Sequence, residues 1–185
     1  MARCPECGRV LRVRKAKTYP YRESGLESVL LTGVRVYRCP GCREAYPAIP
    51  NVVGLHRAIA AELARKPLPL TGAEFRFLRK ELALKAKVLA RHLGTTDVTL
   101  SRWESGDSPI NPAADRLLRV LWTLQAVQKG WSVKPANFVQ AFLQTFAKIG
   151  AAKRAKPLAL RIPAHQRAPR PPQGEREALV AVGRS

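Results

Sequence analysis

The chain has 185 residues, of which 33 are Lys or Arg and 13 are Asp or Glu, so its formal net charge is +20. A positive charge of this size favours polyanionic partners over the substrates of a plain metabolic enzyme, because it promotes phosphate contacts and counterion release. No run of about 18 apolar residues is present, and the start, MARCPECGRV, lacks an apolar signal segment, so we expect no membrane span and a cytoplasmic protein.

The first stretch, residues 1–66, contains all four cysteines as two Cys-x-x-Cys pairs. Four thiols in a reducing compartment are more often metal ligands than disulfides. Two residues between thiols let both sulfurs reach one ion from a tight turn, so Cys4, Cys7, Cys39 and Cys42 predict a closed four-sulfur site for one structural Zn²⁺. Iron accepts the same ligands. A thioredoxin-like redox pair would need a single Cys-x-x-Cys in a βαβ context, which we do not find.

The same stretch carries strand signals. Two runs rich in branched and aromatic residues, Val10–Val13 and Val29–Tyr37, predict a small antiparallel sheet. Arg43 stands in the second cysteine knuckle where glycine would be usual. A helix over about Val53–Ala64 should follow, and the two prolines in RKPLPL, residues 65–70, then predict an extended linker.

Residues 70–126 carry the signals of a helical domain. Thr71 and Glu74 have the spacing of a capping box at the start of a first helix. The residues predicted to face the core from it are Phe75, Leu78 and Leu82. Asn111 followed by Pro112 predicts the start of a last helix. Its predicted apolar face is Leu117, Leu118, Leu121 and Leu124.

Between these lie two further helices, predicted over Ala86–Leu93 and Asp97–Ser105 and separated by Gly94. In a DNA-reading helix-turn-helix, the second helix of such a pair enters the major groove and its N-terminal residues reach base edges. Thr95 or Thr96 can cap that helix. The candidate DNA-binding residues are Thr95, Thr96, Asp97, Val98, Thr99 and Arg102.

Each candidate has a plausible contact. Arg102 can bond guanine through two nitrogens, Val98 can touch a thymine methyl, and the threonine hydroxyls can bond bases or phosphates. Asp97 favours the helix dipole and could accept from cytosine, but it would repel phosphates. The alternative is an ordinary helical hairpin in which Arg102 is a solvated surface residue.

The last part of the chain is predicted to differ again. Residues 132–150 place Phe138, Phe142 and Phe146 four apart, which predicts an amphipathic helix that completes the core or faces a second copy of the chain. From residue 151 onward, eight basic residues, two acids and five prolines accompany little apolar content. We therefore expect a disordered tail over 151–185.

The segment LARHLGTTDVTLSRWESG, residues 89–106, resembles the Xre or lambda-repressor type of helix-turn-helix. In that type an apolar residue, a serine, an arginine, an aromatic and a glutamate close the recognition helix. The matching residues are Leu100, Ser101, Arg102, Trp103 and Glu104. The last two of these are expected to be structural, as a packing aromatic and a hydrogen-bonding group at the helix end.

The N-terminal segments CPECG, YRESGLESVLLTGVRVYRCPGC and IPNVVGLHRAIA resemble the YgiT-type zinc-finger domain of the MqsA antitoxin family. That family also has a zinc domain followed by an Xre-type domain, and the resemblance covers about residues 1–125. It implies the four cysteines as zinc ligands and Val98 and Arg102 as DNA contacts. It further implies a dimeric repressor of its own operon, whose zinc domain binds and neutralises a small ribonuclease toxin.

The expected fold is therefore α+β: a small zinc-binding antiparallel β domain, an all-α lambda-repressor-like helix-turn-helix domain and a disordered tail. The leading functional hypothesis is a homodimeric repressor that binds double-stranded operator DNA and a ribonuclease toxin. The alternative is a solitary zinc-domain regulator that responds to metal or redox state. Residues 1–66 carry 13 basic and 5 acidic groups, and this charge opposes binding to a basic toxin.

Two further classes of function have less support. We predict no enzyme, because His56, His92 and His165 lie in separate stretches without a catalytic constellation, and the first two are expected on helix surfaces. RNA binding has no aromatic stacking motif to support it.

Overall fold

The computed structural model describes residues 2–131 and 160–163. Its strands are β1 Arg12–Lys15, β2 Thr18–Pro20, β3 Val29–Thr32, β4 Arg35–Arg38, β5 Ala45–Ala48 and β6 Leu160–Pro163. Its helices are α1 Val52–Arg65, α2 Gly72–Glu81, α3 Ala86–His92, α4 Asp97–Ser105 and α5 Pro112–Gln128. The architecture of these parts is α+β, as predicted. The amphipathic helix predicted over 132–150 lies outside the described residues.

The strands form two small sheets, where the sequence predicted one. One sheet has the order β1-β4-β5 and is antiparallel throughout, and the other has the order β2-β3-β6. The predicted strand run Val29–Tyr37 is divided at Gly33, whose φ of 71° is a left-handed conformation. Its two halves therefore become β3 and β4, which belong to different sheets.

Strand β6 comes from the segment that was predicted to be disordered. It pairs in parallel with β3, Val29 opposite Leu160 and Thr32 opposite Pro163. The prediction of disorder is wrong for these four residues, because β3 has a second edge whose backbone groups another strand can satisfy. The rest of 151–185 lies outside the described part of the chain.

The helix starts and stops agree with the sequence signals. The Thr71 side chain accepts from the Glu74 amide, and the Glu74 side chain accepts from the Thr71 amide, which completes the predicted capping box. Asn111 caps α5 ahead of Pro112. Gly94 has a φ of 63° just after α3, as a helix-ending glycine should.

The buried face of α5 differs from the predicted one. Leu118 is fully buried, but Leu117 is 40% exposed and Leu124 is 55% exposed. The inward face is instead formed by Trp122 and by the Asp115–Arg119 ion pair, together with Leu118. Leucine spacing alone misplaced the face, because no local pattern indicates that two charges are buried in place of leucines.

The two halves of the described chain share one hydrophobic core. Buried residues of β3, β4 and α1 belong to the same cluster as those of α2 to α5. Helix α1 packs against both α2 and α5. The main residues of this core are Val29, Leu31, Val36, Leu55, Ile59, Leu63, Phe75, Leu78, Leu89, Leu100, Leu118 and Trp122.

Buried charges fix the linker between α1 and α2. The Arg119 guanidinium donates to the carbonyl oxygens of Leu63, Lys66 and Leu68, and Asp115 accepts from the Leu70 amide. Lys66 is 1% exposed, and its ammonium lies 2.6 Å from a carboxylate oxygen of Glu74. The linker predicted from its prolines is therefore held in place by charged hydrogen bonds.

Among residues 2–131 and 160–163, no helix has the length and apolar character needed to cross a membrane.

Candidate metal centre and the surface of helices α3 and α4

The four cysteine sulfurs lie together, each within 4.8 Å of the others. The Sγ atoms of Cys4 and Cys42 are 3.5 Å apart, those of Cys7 and Cys39 are 3.3 Å apart, and those of Cys7 and Cys42 are 4.0 Å apart. Four sulfurs bound tetrahedrally at about 2.3 Å from Zn²⁺ lie about 3.8 Å from one another. The predicted grouping of the cysteines is confirmed, and its geometry fits one metal ion.

The first knuckle is a tight turn built around Cys4. The Gly8 amide donates to the Cys4 carbonyl at 2.9 Å, and the Cys4 amide donates to the Arg9 carbonyl at 2.8 Å. Gly8 has a φ of 71°, which a residue without a Cβ adopts at little cost. These bonds orient Cys4 and Cys7 toward one point.

The second knuckle lies between β4 and β5. The Gly41 amide donates to the Cys39 sulfur at 3.3 Å, and the Cys39 amide donates to the Glu44 carbonyl. Arg43 has a φ of 65°. The residue that stands where glycine would be usual therefore takes the left-handed conformation of glycine, which costs an L residue roughly 1–2 kcal/mol.

Tyr46 of β5 is not a predicted metal ligand, but it contacts one. Its hydroxyl lies 3.6 Å from the Cys4 sulfur. Burial raises the pKa of the Cys4 thiol, but hydrogen bonds from Tyr46 and from the backbone at Cys7 and Glu6 outweigh it and lower the pKa to about 6. The same contact with Cys4 raises the pKa of Tyr46. The lowered pKa favours the thiolate form of Cys4, which is the form that binds metal.

The donor set decides what the centre can do. Cys4 and Cys39 are buried, whereas Cys7 and Cys42 are exposed. Four thiolates fill a tetrahedral site and leave no position for water or substrate, which is typical of structural metal sites. Zn²⁺ and iron both accept four sulfurs, and the arrangement does not distinguish them.

The predicted DNA-binding residues all lie in the turn before α4 or in α4 itself. The Thr96 hydroxyl accepts from the Thr99 amide at 3.1 Å and lies 2.9 Å from the Thr99 hydroxyl, so Thr96 is the N-cap. Asp97 accepts from the Val98 amide. Thr95 is not a cap and is half-buried. Of the two threonines that the sequence left open, the structure selects Thr96.

The outward face of α4 begins at Val98, which is 58% exposed, and continues to the exposed Arg102. The opposite face is buried through Leu100 and Trp103. The Trp103 ring lies against Phe75 of α2, with the ring centroids 6.2 Å apart. Helix α4 is thus held through its buried face, and its first turns are exposed to solvent.

Sequence reasoning did not find the partners that hold the end of α4. Glu104 is 6% exposed and accepts from the guanidinium groups of Arg76 and Arg79. A Cβ on Gly72 would lie 2.4 Å from the Trp103 carbonyl oxygen, so the start of α2 approaches α4 closely. Glu104 and Arg79 are 25 residues apart, and no local pattern pairs residues at that separation.

The surroundings of His56 also differ from those that the sequence predicted. Instead of lying free on a helix surface, its ring lies 3.0 Å from the Tyr21 hydroxyl and 3.2 Å from a carboxylate oxygen of Glu81. It therefore connects the strand region to α2. His92 is exposed, as predicted, and His165 lies outside the described residues.

Comparison with known proteins gives no assignment. No protein-family model matches the chain, and no curated protein matches it.

Proposed function

We propose that the chain is a sequence-specific DNA-binding repressor, in which α3 and α4 form a helix-turn-helix and a structural metal centre organises the N-terminal region. The observation that carries the proposal is the exposed first turns of α4. Val98 and Arg102 face outward on a helix whose other face is buried and whose end is fixed by Glu104. A rigidly held helix with an exposed N-terminal face suits the major groove.

Charge supports the same proposal. The chain carries +20, and a polyanion is the natural partner of such a protein. Asp97 lies in the first turn of α4 and bonds its own helix amide, so its carboxylate is partly occupied at the helix N-terminus. The open donors of Arg102 can then read a guanine without competition from that carboxylate.

Substitution of Arg102 by Ala tests the base-reading role. We expect binding to the chain's own promoter DNA to weaken by roughly 1–3 kcal/mol, with little change on random duplex DNA of equal length. Fluorescence anisotropy with both duplexes measures this. The control is Arg65→Ala, which removes an exposed arginine from α1. An equal loss on both duplexes would contradict the assignment of Arg102 to base contacts.

A homodimer is proposed on the basis of α5. Its exposed side carries Leu117, Leu124 and Val127, with Val120 partly exposed between them. The spacing of three and four residues matches a helix-pairing seam. Leu117 also lines a pocket of about 280 Å³ with Leu93 and Trp103. A second copy would cover this apolar surface and bring two α4 helices to successive major grooves about 34 Å apart.

The antitoxin role rests on the resemblance to the MqsA family and needs its own test. Zinc-loaded full-length protein is the right bait, because α1 shares its core with α2 and α5. Co-purification of a small ribonuclease at one copy per chain, whose activity the bait abolishes, would support an antitoxin. Retardation of the chain's own promoter DNA with no such ribonuclease would leave a solitary repressor.

One observation favours the alternative of a metal- or redox-responsive regulator. Cys7 and Cys42 are exposed, so a chelator or an oxidant can reach two of the four sulfurs. This alternative predicts that peroxide or chelator changes promoter affinity while α2 to α5 stay folded. Unchanged affinity after complete metal removal would exclude it.

A further inference from the structure

Strands β1 and β4 place positive charges directly opposite one another. The antiparallel register pairs Arg12 with Arg38 and Lys15 with Arg35. Arg14 lies between them on β1, and all five side chains are exposed. Because successive side chains of a strand point to opposite faces of the sheet, Arg12, Arg14 and Arg38 share one face, and Lys15 and Arg35 share the other. Like charges at directly opposed positions of a sheet are destabilising. A sheet built this way needs counter-charge from elsewhere.

The described part of the chain does not supply that counter-charge. The six ion pairs found within residues 2–131 all lie between residue 56 and residue 119, and none involves these five cations. Residues 2–51 contain ten Lys or Arg against four Glu, a net charge of +6. A zinc ion with four thiolates carries −2, which still leaves an excess of positive charge.

The knuckles moreover have cations of their own. The Arg9 side chain lies against Gly41, where a Cβ would come within 2.8 Å of its Cδ atom. Arg3 donates to the Gly8 carbonyl. The arginines near the metal centre are therefore Arg3 and Arg9, which are not on β1 or β4. The charges on β1 and β4 remain available for another partner.

We propose that Arg12, Arg14 and Arg38 form a cation surface that binds the sugar-phosphate backbone of duplex DNA. All three are arginines, whose planar guanidinium groups match phosphate oxygens with two parallel hydrogen bonds. The inference rests on the proposed function in taking duplex DNA as the ligand. It adds a second DNA contact, independent of α4 and without sequence preference.

The neighbouring aromatic residues favour a duplex over a single strand. Single-strand binders stack bases on exposed aromatic rings. Tyr37 is half-buried and lies opposite Tyr46 across β4 and β5, and the Tyr46 hydroxyl is bonded to Cys4. These rings are engaged in the fold. Phosphates on the outside of a duplex, by contrast, are reached by exposed cations alone.

The test uses a charge-matched pair of full-length, zinc-loaded variants. The β1 variant carries Arg12→Gln and Arg14→Gln on β1 and Arg38→Gln, opposite Arg12, on β4. The control variant carries three equivalent substitutions at exposed cations elsewhere, namely Arg22→Gln, Arg65→Gln and Lys80→Gln. Both lose three positive charges. Zinc content and urea unfolding establish first that each variant is folded.

Binding is measured by anisotropy on a random duplex of about 30 base pairs and on a promoter duplex of equal length, between about 50 and 200 mM salt. Each phosphate contact contributes about 0.9 to the slope of log affinity against log salt. We expect the β1 variant to lower the slope by about 2 to 3 on both duplexes, and the control variant to change it by less than about 1.

The outcomes separate this inference from the proposed function. Equal slopes for the β1 and control variants overturn the cation surface, whether or not the promoter is preferred. Absence of any promoter preference in the wild-type protein overturns the sequence-specific repressor but leaves the slope comparison on random duplex to decide the surface. Loss of binding to an acidic protein, with unchanged slopes on DNA, would assign the surface to a protein partner and overturn the proposal.

Discussion

Glu104 is not a predicted DNA contact, but it holds the helix that carries those contacts. Its carboxylate sits at the end of α4 and is bonded to Arg79 and Arg76 of α2, so it determines how α4 is presented. The two cysteine knuckles and the helix caps could be predicted, because each depends on residues two to four positions apart. The partners of Glu104 could not, since they meet only after α2 and α4 have packed together.

Substitution of Glu104 by Gln should lower the free energy of unfolding by about 2–3 kcal/mol, because it leaves the largely buried Arg79 without its charged partner. Urea denaturation measures the change, with the midpoint shifted and the slope unaltered.

The matched control is Glu62→Gln on α1. Glu62 pairs with Arg65 in an ion pair whose two side chains are each about half exposed. Its loss should change the free energy of unfolding by less than about 0.5 kcal/mol. Equal effects at the two glutamates would contradict a structural role for Glu104.

At the scale of elements, helix bounds followed from local signals, but the inward face of α5 did not. Asp115 and Arg119 are buried because together they satisfy the Leu70 amide, two linker carbonyls and the Leu63 carbonyl in the last turn of α1. The helix is rotated accordingly, and Leu117 and Leu124 face outward. An i, i+4 Asp–Arg pair is visible in the sequence, but its burial depends on backbone groups about 50 residues away.

Replacing Leu117 and Leu124 together by Glu tests whether this outward face joins two copies. We expect the wild-type protein to be dimeric and the variant to be monomeric and folded, because buried glutamates at a helix seam repel each other. Sedimentation velocity measures the mass, and circular dichroism measures the helix content.

The control places glutamates at Val52 and Val53, two exposed apolar residues at the start of α1. Acidic residues there suit the helix N-terminus, so fold and dimer should both persist. A dimer that survives the α5 substitutions would show that another surface holds the copies together.

At the scale of the whole molecule, we expect stability to come from two features, the candidate metal centre and the shared hydrophobic core. The strands of residues 2–51 are short, and we expect a small region of this kind to depend on a bound metal, whose binding contributes on the order of 10 kcal/mol. Strand β1 has no buried residue, and β4 contributes only Val36 to the core that α1 shares with α2 to α5. The sequence predicted the cysteine cluster and the helices, but not this sharing, because Lys66, Pro67 and Pro69 predict only an extended linker between two domains.

Metal removal, by chelation or by Cys39→Ser, should therefore disrupt the sheet of β1, β4 and β5, which joins the two knuckles, but not the helices. Hydrogen exchange should show protection lost in β1 and β4 and largely retained in α1 and α5. Metal analysis should give about one zinc per chain in the wild-type protein and much less in the variant.

Restoring zinc to the chelated wild-type protein should restore the protection of β1 and β4, and zinc should have no effect on Cys39→Ser. Simultaneous loss of protection in strands and helices would contradict a separable metal-dependent region.

The parallel pairing of β6 with β3 also has a consequence for synthesis on the ribosome. Residues 33–159 separate the two strands, so β3 is translated long before its neighbour exists. Until residue 163 has left the exit tunnel, one side of β3 presents unpaired amides and carbonyls to the nascent chain's surroundings. A transcript cut short anywhere in between would yield a protein with that edge permanently open and able to accept a strand from another molecule.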